Sequence, residues 1–392
     1  MMMKRLFCLW MALSLFATSQ AKTMKATYRV TVEGFRKECP VVISEVPQWA
    51  ESVQVRSNGE AIVAQLDKAL GEAAFVADIC EERLFEVRFS DKAHGEEPRS
   101  RVNAQMWWKN EDKSLTECDT LFSYKDDMYR KLHHHGPAIE SELAAYRIYF
   151  DKKQTVDTYG KKQPRLELRQ SMWYSTPEQL AEGFGHDNLR VFGSIGVGVL
   201  KGWDPEKGMQ HITKFKRREA RVLAKGPVRA IMEMRVEGWD YCGRELNMTS
   251  RYILYAGHSD VVVENRLEGD FEGLTFVTGV MKMRDTKVLR GERAVAQIGT
   301  DHPENDYEKW PMETVALAVA LPEGVEILSQ EDDQLSYLFQ LTPNSSGEID
   351  YVFDMFWRKS EWLSDRSDDE LLSGVMESVR MAAQPVRVER IR

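Results

Sequence analysis

Apolar and polar residues alternate with a period of two along most of the chain. This pattern is typical of strands that bury one face and solvate the other. The segments with the clearest alternation are residues 26–35, 52–57, 84–90, 165–174, 228–239, 250–256 and 260–269. Short turn signals such as Asn58-Gly59 and Cys242-Gly243 separate them. The sequence therefore predicts an all-β fold, a large antiparallel β-sandwich with few short helices.

Helical periodicity is rare in this chain. It occurs at residues 62–74, at 177–183 after the Ser175-Thr176 pair, and most clearly at 369–383. In the last segment one face is apolar and Asp368 is a candidate cap; the apolar residues are Leu371, Leu372, Val375, Met376 and Val379. The final VRVERIR predicts a closing strand. Because no repeat and no low-complexity linker occurs, residues 22–392 are predicted to form a single extended sandwich.

The first 21 residues have the features of a secretory signal peptide. Lys4 and Arg5 precede the apolar run 6–16, and Ser19-Gln20-Ala21 has the small-x-small form of a cleavage site. The apolar run is too short to span a bilayer. We therefore expect cleavage near Ala21 and a periplasmic or secreted protein without a membrane anchor.

The chain is acidic, with a formal net charge of −9. Nucleic-acid binding needs a basic face, so that class of partner is not expected. Local arginines can still form a pocket for an acidic substrate inside an acidic envelope. In an oxidising compartment, Cys39, Cys80, Cys118 and Cys242 permit one or two disulfides. Cys39 with Cys80 is one candidate pair, and free buried thiols are the alternative. The sequence does not define an oligomeric state.

The segment 133–161, HHHGPAIESELAAYRIYFDKKQTVDTYGK, concentrates groups that can move protons. Three of the eight histidines of the protein are consecutive here, and histidine titrates near neutral pH. We expect them on a loop or strand end before the Gly136-Pro137 break. If residues 138–151 form one strand, Glu140, Glu142 and Tyr146 share one face. Arg147, Tyr149 and Asp151 then share the other.

A second cluster, GFGHDNLRVFGSIGVGVLKGWD, spans residues 183–204 and contains His186 and Arg190. Its glycines are too irregular for a dinucleotide fingerprint, and they favour tight turns instead. Among the aromatic residues, at most one of Trp107 and Trp108 is expected at the surface, because they point to opposite faces of an extended segment. Trp357-Arg358 could combine a stacking ring with a guanidinium that binds a carboxylate. Core packing and solvation are the simpler explanations for each of these residues.

Several common catalytic motifs are absent from the sequence. It contains no G-x-S-x-G elbow, no H-E-x-x-H, no Walker loop and no EF-hand loop. His133 and His135 would lie on one side of an extended segment, but adjacent histidines are not a recognised zinc spacing. The sequence therefore predicts no cofactor, and a metal held by these histidines with a third ligand from elsewhere in the chain is the less favoured alternative.

Four segments together resemble a known protein family: HHHGPAIESELAAYRIYFDKKQTVDTYGK, GFGHDNLRVFGSIGVG, VLAKGPVRA and LTFVTGVMK. The family consists of secreted proteins, frequent in polysaccharide-degrading bacteria, that were long described only as a domain of unknown function. The resemblance implies a β-sandwich of the galactose-mutarotase and polysaccharide-lyase type. It also implies activity on uronic-acid oligosaccharides, with a dehydratase of ulvan oligosaccharides as the precedent. It assigns no catalytic residue.

The resulting hypothesis is a carbon–oxygen lyase. A base removes the acidified C5 proton of a uronic acid, a cation neutralises the carboxylate, and an acid assists loss of the C4 substituent. Loss of a terminal hydroxyl is dehydration, and loss of a sugar is chain cleavage by a polysaccharide lyase. The catalytic candidates are His134, His135, His186, Tyr146 and Tyr159. The substrate-binding candidates are Arg147, Arg190, Glu142, Trp107 and Arg358.

Three alternatives remain open at this point. Glu140 and Glu142 on one strand face could serve a glycoside hydrolase, because their carboxyls could reach a catalytic separation. An aldose epimerase would need one histidine acid and one glutamate base. A non-catalytic carbohydrate-binding protein would present aromatic platforms without a histidine cluster, so the three histidines favour an enzyme.

Overall fold

The structure is a computed structural model in which residues 21–93, 95, 98–304, 307–308 and 310–392 are described. The predicted signal peptide lies almost entirely outside the described residues. The first half of the chain contains β1 Thr23–Ile43, β2 Ser52–Ser57, β3 Glu60–Ile62, β4 Ala64–Asp67, β5 Glu72–Ser90, β6 Val102–Gln105, β7 Trp107–Lys109, β8 Leu115–Glu117, β9 Thr120–Ser123, β10 Ala138–Ser141, β11 Ala144–Ile148, β12 Val156–Gly160 and β13 His186–Asp187.

The second half continues the pattern of strands. These are β14 Lys201–Asp204, β15 Gly208–Gln210, β16 Arg217–Lys225, β17 Arg229–Tyr241, β18 Arg244–Tyr255, β19 Val261–Gly269, β20 Phe276–Met281, β21 Arg284–Arg290, β22 Ala294–Asp301, β23 Glu313–Ala320, β24 Glu326–Ser329, β25 Ser336–Thr342, β26 Glu348–Trp357 and β27 Arg387–Arg390. The α-helices of the described residues are α1 Leu168–Ser171, α2 Pro177–Ala181 and α3 Asp368–Ala383. The prediction of an all-β antiparallel sandwich with few helices is confirmed.

A nine-stranded sheet forms the centre of the molecule, in the order β21-β22-β23-β26-β19-β18-β17-β16-β9. Two five-stranded sheets, β13-β12-β11-β10-β6 and β15-β14-β20-β25-β24, pack on one of its faces. The side chains between them form the largest hydrophobic core, which includes Tyr146, Val263 and Phe276. Central strands such as β23 are buried on both faces, because successive side chains point to opposite sides and each side is covered, so their sequences are almost continuously apolar.

The other face of the central sheet carries small residues where α3 covers it. Ala294, Ala296, Ala316, Ala318 and Ala320 pack there against Leu371, Leu372, Val375, Met376 and Val379 of the helix. The apolar face predicted for this helix is therefore confirmed. The helix begins with a capping box in which the Ser367 side chain accepts the Glu370 backbone N–H. The cap is thus Ser367, one residue before the Asp368 expected from the sequence.

A six-stranded N-terminal sheet, β27-β1-β5-β2-β3 with β4 on β5, covers the rest of that face. The closing strand predicted at the C-terminus is β27, which pairs with β1. The buried Arg229 of β17 joins this sheet to the central one. Its Nε and Nη2 donate to Asp67 at 2.7 Å and to Glu72 at 2.6 Å. A guanidinium suits this position because its planar fork can bind two carboxylates at once.

Two sequence predictions of local structure were wrong, and for the cysteines the structure has the free thiols that were the alternative to disulfides. Residues 62–74 form β4 and the start of β5, because Gly71 adopts φ +67° and turns the chain between them. Residues 165–174 form α1 and a following turn instead of a strand. The cysteines are all free within the described residues. The register of β1 with β5 places Cys39 opposite Ala77 and Cys80 opposite Phe35, so Cys39 is buried and Cys80 exposed.

The helices offer no membrane-spanning segment. Within the described residues, none is both long and apolar enough to cross a bilayer.

Candidate functional site

The five-stranded sheet β13-β12-β11-β10-β6 has one apolar and one polar face. Residues 138–151 are not one strand: β10 and β11 form a hairpin that pairs Ala138 with Arg147 and Glu140 with Ala145. Directly paired residues share a face, so Glu140 lies on the face of Arg147 and opposite to Tyr146. The predicted grouping of Glu140 with Tyr146 was therefore wrong. The polar face points away from the central sheet.

Arg147 is the centre of that polar face and is 3% exposed. Its guanidinium donates to Asp157 from Nε at 2.8 Å and to Asp187 from Nη2 at 2.8 Å. The three residues lie on β11, β12 and β13. They come together because Arg147 pairs with Asp157 between β11 and β12, and Asp187 pairs with Tyr159 between β13 and β12. A buried charge needs such partners. Burial and the neighbouring Asp157 raise the pKa of Asp187 well above its usual value, while Arg147 opposes that shift.

Aromatic rings surround the same guanidinium. Its carbon lies 4.6 Å from the centre of the Trp173 ring, 5.2 Å from that of Tyr149 and 5.6 Å from that of Tyr174. Nη1 donates to the Tyr174 hydroxyl at 2.8 Å. That hydroxyl accepts from Arg147 and so retains its own proton for another acceptor. Burial raises the pKa of Tyr174, and Arg147 lowers it, so the phenol stays protonated at neutral pH.

These groups form the floor of a basin of about 290 Å³. Its walls come from the loops before β10, between β11 and β12, after β13 and after β22. The lining residues are Tyr129, His135, Arg147, Tyr149, Lys153, Asp157, Tyr174, Asp187, Leu189, Arg190, Val191, Phe192, Pro303 and Glu304. Arg147 is already paired with two carboxylates. Lys153 and Arg190, on one wall, are the other cations that line the basin.

His135 enters the basin from an unusual backbone. The three histidines form a 3-10 turn before β10, so they lie before the Gly136-Pro137 break as predicted. His134 and His135 have φ of 61° and 62°. Side chains rarely adopt this left-handed conformation, which is concentrated at functional sites. The next residue must be a glycine, Gly136, because a Cβ at this position would lie 1.8 Å from the Ile148 carbonyl oxygen. The strand β11 therefore fixes the direction in which His135 projects.

The tautomer of His135 is fixed by a backbone hydrogen bond. Nδ1 lies 2.9 Å from the Tyr129 carbonyl oxygen, which can only accept, so Nδ1 carries the proton. Nε2 is then the basic nitrogen, and it has no hydrogen bond among the described residues. The ring stacks on Tyr129 with centroids 4.0 Å apart. Burial lowers the pKa of His135 to about 4, and Arg147 and Lys109 add to the effect.

Residues 38–388 match the family model described as a domain of unknown function, DUF4861. The chain belongs to the DUF4861 family. This agrees with the resemblance to a family long described only by that phrase. None of the curated proteins matches the chain.

Solved structures that resemble this DUF4861 chain include two from Enterococcus faecalis. One is a protein in glycosyl hydrolase family 38, with TM-score 0.46, 9% identity and coverage of 94% of this chain and 47% of that one. The other is an α-mannosidase from strain V583, with TM-score 0.43, 8% identity and coverage of 94% and 46%. The chain spans about half the length of each. Similarity at this level says nothing about activity.

Of the ten residues predicted from the sequence, the basin contains three: His135, Arg147 and Arg190. His134 is 1% exposed, and its Nε2 lies 3.4 Å from the Gln105 amide. Tyr146 is in the main core, where its hydroxyl donates to the Ser259 carbonyl at 2.7 Å. Tyr159 is fully buried behind Trp173, and its hydroxyl lies 2.8 Å from two acceptors, the Glu167 carboxylate and the Gly185 carbonyl.

Glu140 and Glu142 do not form a catalytic pair. Glu140 is 1% exposed, forms an ion pair with Lys161, and accepts the backbone N–H of Glu167 at 2.8 Å. Glu142 lies on the hairpin turn, where it binds Arg101 at 2.5 Å. One carboxylate is therefore internal and the other is on a surface, so they cannot flank one glycosidic bond.

The remaining predicted residues lie outside the lining of the basin. His186 packs against Trp310 and Trp357 and lies 3.5 Å from Glu313. Trp107, on β7, pairs with Glu117 of β8 and is partly exposed. Arg358 binds Asp368 at the start of α3.

Sequence reasoning missed six basin residues that matter: Tyr129, Tyr149, Lys153, Asp157, Tyr174 and Asp187. Four of them lie in the two segments already singled out, 133–161 and 183–204, so the density of polar and aromatic residues was the available signal. Tyr174 was hidden by the false strand at 165–174. Tyr129 precedes the histidines by only a few positions.

A larger cavity, with a volume of about 730 Å³, lies elsewhere in the described part of the chain. It lies where β1, the turn between β18 and β19, and α3 meet. Its His258 already binds Asp260 at 2.8 Å and the Glu38 carbonyl at 2.8 Å, so both ring nitrogens are engaged. In the described part of the chain, no group of three or more potential metal ligands is arranged around one point.

The two aspartates of the basin should contribute unequally to stability. Asp157 accepts from Arg147, Tyr149 and the Thr158 backbone, whereas burial and Asp157 raise the pKa of Asp187, so its negative charge is the less favoured of the two. We expect Asp157→Asn to lower the free energy of unfolding at pH 7 by about 3–5 kcal/mol. Asp187→Asn should lower it by about 1–2 kcal/mol. Urea denaturation measures both, and equal losses would contradict the assignment of Asp157 as the main counter-ion.

Proposed function

We propose that this protein is a carbon–oxygen lyase that dehydrates the terminal uronic acid of acidic oligosaccharides. The observation that carries the proposal is His135, whose basic Nε2 has no described partner in a basin that also contains Lys153, Arg190 and Tyr174. β-Elimination needs a base, a cation for the substrate carboxylate and an acid for the leaving group. The basin has a candidate base, two candidate cations and a candidate acid.

His135 is the proposed base. A base must be neutral to accept a proton, and His135 is neutral at neutral pH because burial lowers its pKa to about 4. Such an imidazole is a weak base in the empty basin. A bound carboxylate favours the imidazolium, since opposite charges attract strongly in a desolvated site. The substrate therefore raises the basicity of the group that attacks it.

Lys153 and Arg190 are the proposed ligands of the uronate carboxylate. Lys153 uses one of its three N–H donors on the Phe192 carbonyl at 2.7 Å. As C5 loses its proton, charge develops on the carboxylate, and the two cations stabilise it. Tyr174 then gives its proton to the C4 hydroxyl, which leaves as water. One proton thus moves from C5 to His135 and another from Tyr174 to the leaving oxygen, and solvent restores both groups.

The size of the basin favours dehydration over chain cleavage. Its volume of about 290 Å³ is at the lower end of small-molecule sites. This suits one terminal ring better than the interior of a polymer. A hydroxyl is the C4 substituent of a terminal ring, so water is the leaving group. Ulvan-type oligosaccharides are the proposed substrates on the strength of the sequence resemblance, and export through the predicted signal peptide would bring the enzyme to them. No cofactor enters the proposal.

The direct test is incubation with oligosaccharides that end in a uronic acid. We expect a new ultraviolet absorbance from the 4,5-unsaturated ring and a mass reduced by one water, without chain shortening. The same absorbance with shorter products would instead identify a chain-cleaving polysaccharide lyase. Shorter products without the absorbance would refute elimination and favour hydrolysis.

The role of His135 is best tested with His135→Asn. Asparagine tolerates the left-handed backbone, and its side-chain N–H₂ can replace Nδ1 as donor to the Tyr129 carbonyl. The variant lacks Nε2, so kcat should fall by about 10²- to 10⁴-fold while the melting temperature stays close to that of the wild type. His211→Gln serves as the control, because His211 does not line the basin. A folded, fully active His135→Asn enzyme would refute our choice of base.

The pH dependence should report the lowered pKa of His135. The imidazole must be neutral to accept a proton, so activity is lost as the pH falls through its pKa. In kcat/KM, which reports the free enzyme, we expect the acid limb near pH 4, well below the ordinary histidine value. In kcat the limb should move upward, because the bound carboxylate stabilises the imidazolium. An acid limb of kcat/KM at pH 6.5 or above would contradict this assignment.

A further inference from the structure

One wall of the basin ends in a tight turn with an unexpected residue at its tip. The turn spans Val191–Ser194, and the Ser194 N–H donates to the Val191 carbonyl at 3.0 Å. Phe192 occupies its second position with φ 46°, whereas the neighbouring Gly193 is not in the positive-φ region. Glycine is the residue that this turn position favours, since it alone adopts positive φ without strain. The turn therefore holds a phenylalanine where its backbone is least suited to one.

The Phe192 side chain gains little burial in return for this strain. The residue is 68% exposed, and it lines the basin. Core packing therefore does not explain the aromatic ring. Strained residues that the surrounding structure holds in place are concentrated at functional sites. The turn is held in this way, because Lys153 Nζ donates to the Phe192 carbonyl and Ser194 Oγ donates to the Val191 carbonyl.

The ring also has a defined orientation and an apolar neighbourhood. The Arg190 guanidinium carbon lies 5.4 Å from the ring centre, at a distance typical of a cation–π contact. Leu335, itself 46% exposed, lies beside Gly193 of the same turn. Phe192 thus places apolar surface at the edge of a basin whose interior is polar and charged, and Leu335 adds exposed apolar surface beside the same turn.

We propose that Phe192 is the platform of a second sugar subsite, which binds the pyranose ring next to the reacting uronic acid. The proposal rests on the proposed function, because the basin is taken to hold the terminal ring. A pyranose ring has an apolar C–H face that stacks on an aromatic ring, and its hydroxyls stay in solvent. The neighbouring ring of a chain whose terminal unit fills the basin must leave through the mouth, where Phe192 lies.

The test compares Phe192→Asn with wild type on substrates of one, two and three rings. We expect the wild-type KM to fall from one ring to two, and this gain to be lost in the variant. For the longer substrates KM should rise about 3- to 10-fold with kcat nearly unchanged. Asparagine accepts positive φ, so the melting temperature should stay the same or rise by about 1–3 °C. A residue that only stabilised the turn would show the opposite, a lower melting temperature and no dependence on substrate length.

Phe122→Asn is the matched control. Phe122 is also exposed, at 50%, and has an arginine 4.6 Å from its ring centre, but it lies on β9 and does not line the basin. Its KM for every substrate should equal that of the wild type. An equal KM change in both variants would overturn the subsite.

Calorimetric binding to His135→Asn protein, with and without Phe192→Asn, separates this inference from the proposed function. Length-dependent binding that disappears with Phe192→Asn supports the subsite even if no elimination is seen. If elimination is seen and its KM is the same in the wild type and in Phe192→Asn, the subsite is overturned and the proposed function stays intact. If no oligosaccharide binds at all, both are overturned.

Discussion

The Arg147 guanidinium lies between Asp157 and Asp187, and the geometry of the basin depends on that contact. One side chain joins β11, β12 and β13 on the polar face of their sheet. It also orients Tyr174 by a hydrogen bond and packs against the Trp173 ring. A buried cation without these partners would be unstable. The same contacts that stabilise the charge therefore place a phenol and two carboxyls around one small volume.

Arg147 supports the site, and in the proposed function other cations of the basin bind the substrate carboxylate. Arg147 was expected to hold a substrate carboxylate, but its donors are already directed at protein groups. Lys153 and Arg190 lie on the wall instead, closer to solvent. Cations on a wall can adjust to an incoming anion, whereas a cation fixed in a floor keeps the surrounding dipoles in place before the substrate arrives.

The alternation of apolar and polar residues, and their helical spacing, correctly predicted the elements whose form depends on nearby residues alone. β17, β18, β19 and the apolar face of α3 follow directly from alternation and helical spacing. The β10–β11 hairpin does not, because its tip has neither glycine nor asparagine. The Ser141 hydroxyl accepts the Leu143 and Ala144 N–H groups there, and it donates to the distant His258 carbonyl. A contact across the fold thus makes the turn, and no local pattern reveals it.

The same reason explains the false strand at 165–174. The Glu140 carboxylate accepts the N–H groups of Glu167 and Leu168, which fixes the start of α1. The candidate site was affected in turn, since Tyr174 follows that helix. The histidine run was correctly expected on a loop before β10. The left-handed backbone at His134 and His135 determines which imidazole ring of the run faces solvent. The sequence alone does not reveal that conformation.

The basin has a floor made of strands and walls made of loops, and this has a consequence for how such a protein can diversify. Insertions or substitutions in the turn Val191–Ser194, or in the loop after β22, alter the mouth without disturbing hydrogen bonds between strands. The floor tolerates no comparable change, because each of its charges is neutralised by a neighbour on another strand. Under the proposed function, relatives that differ only in these loops would bind different saccharides and keep the same reaction chemistry.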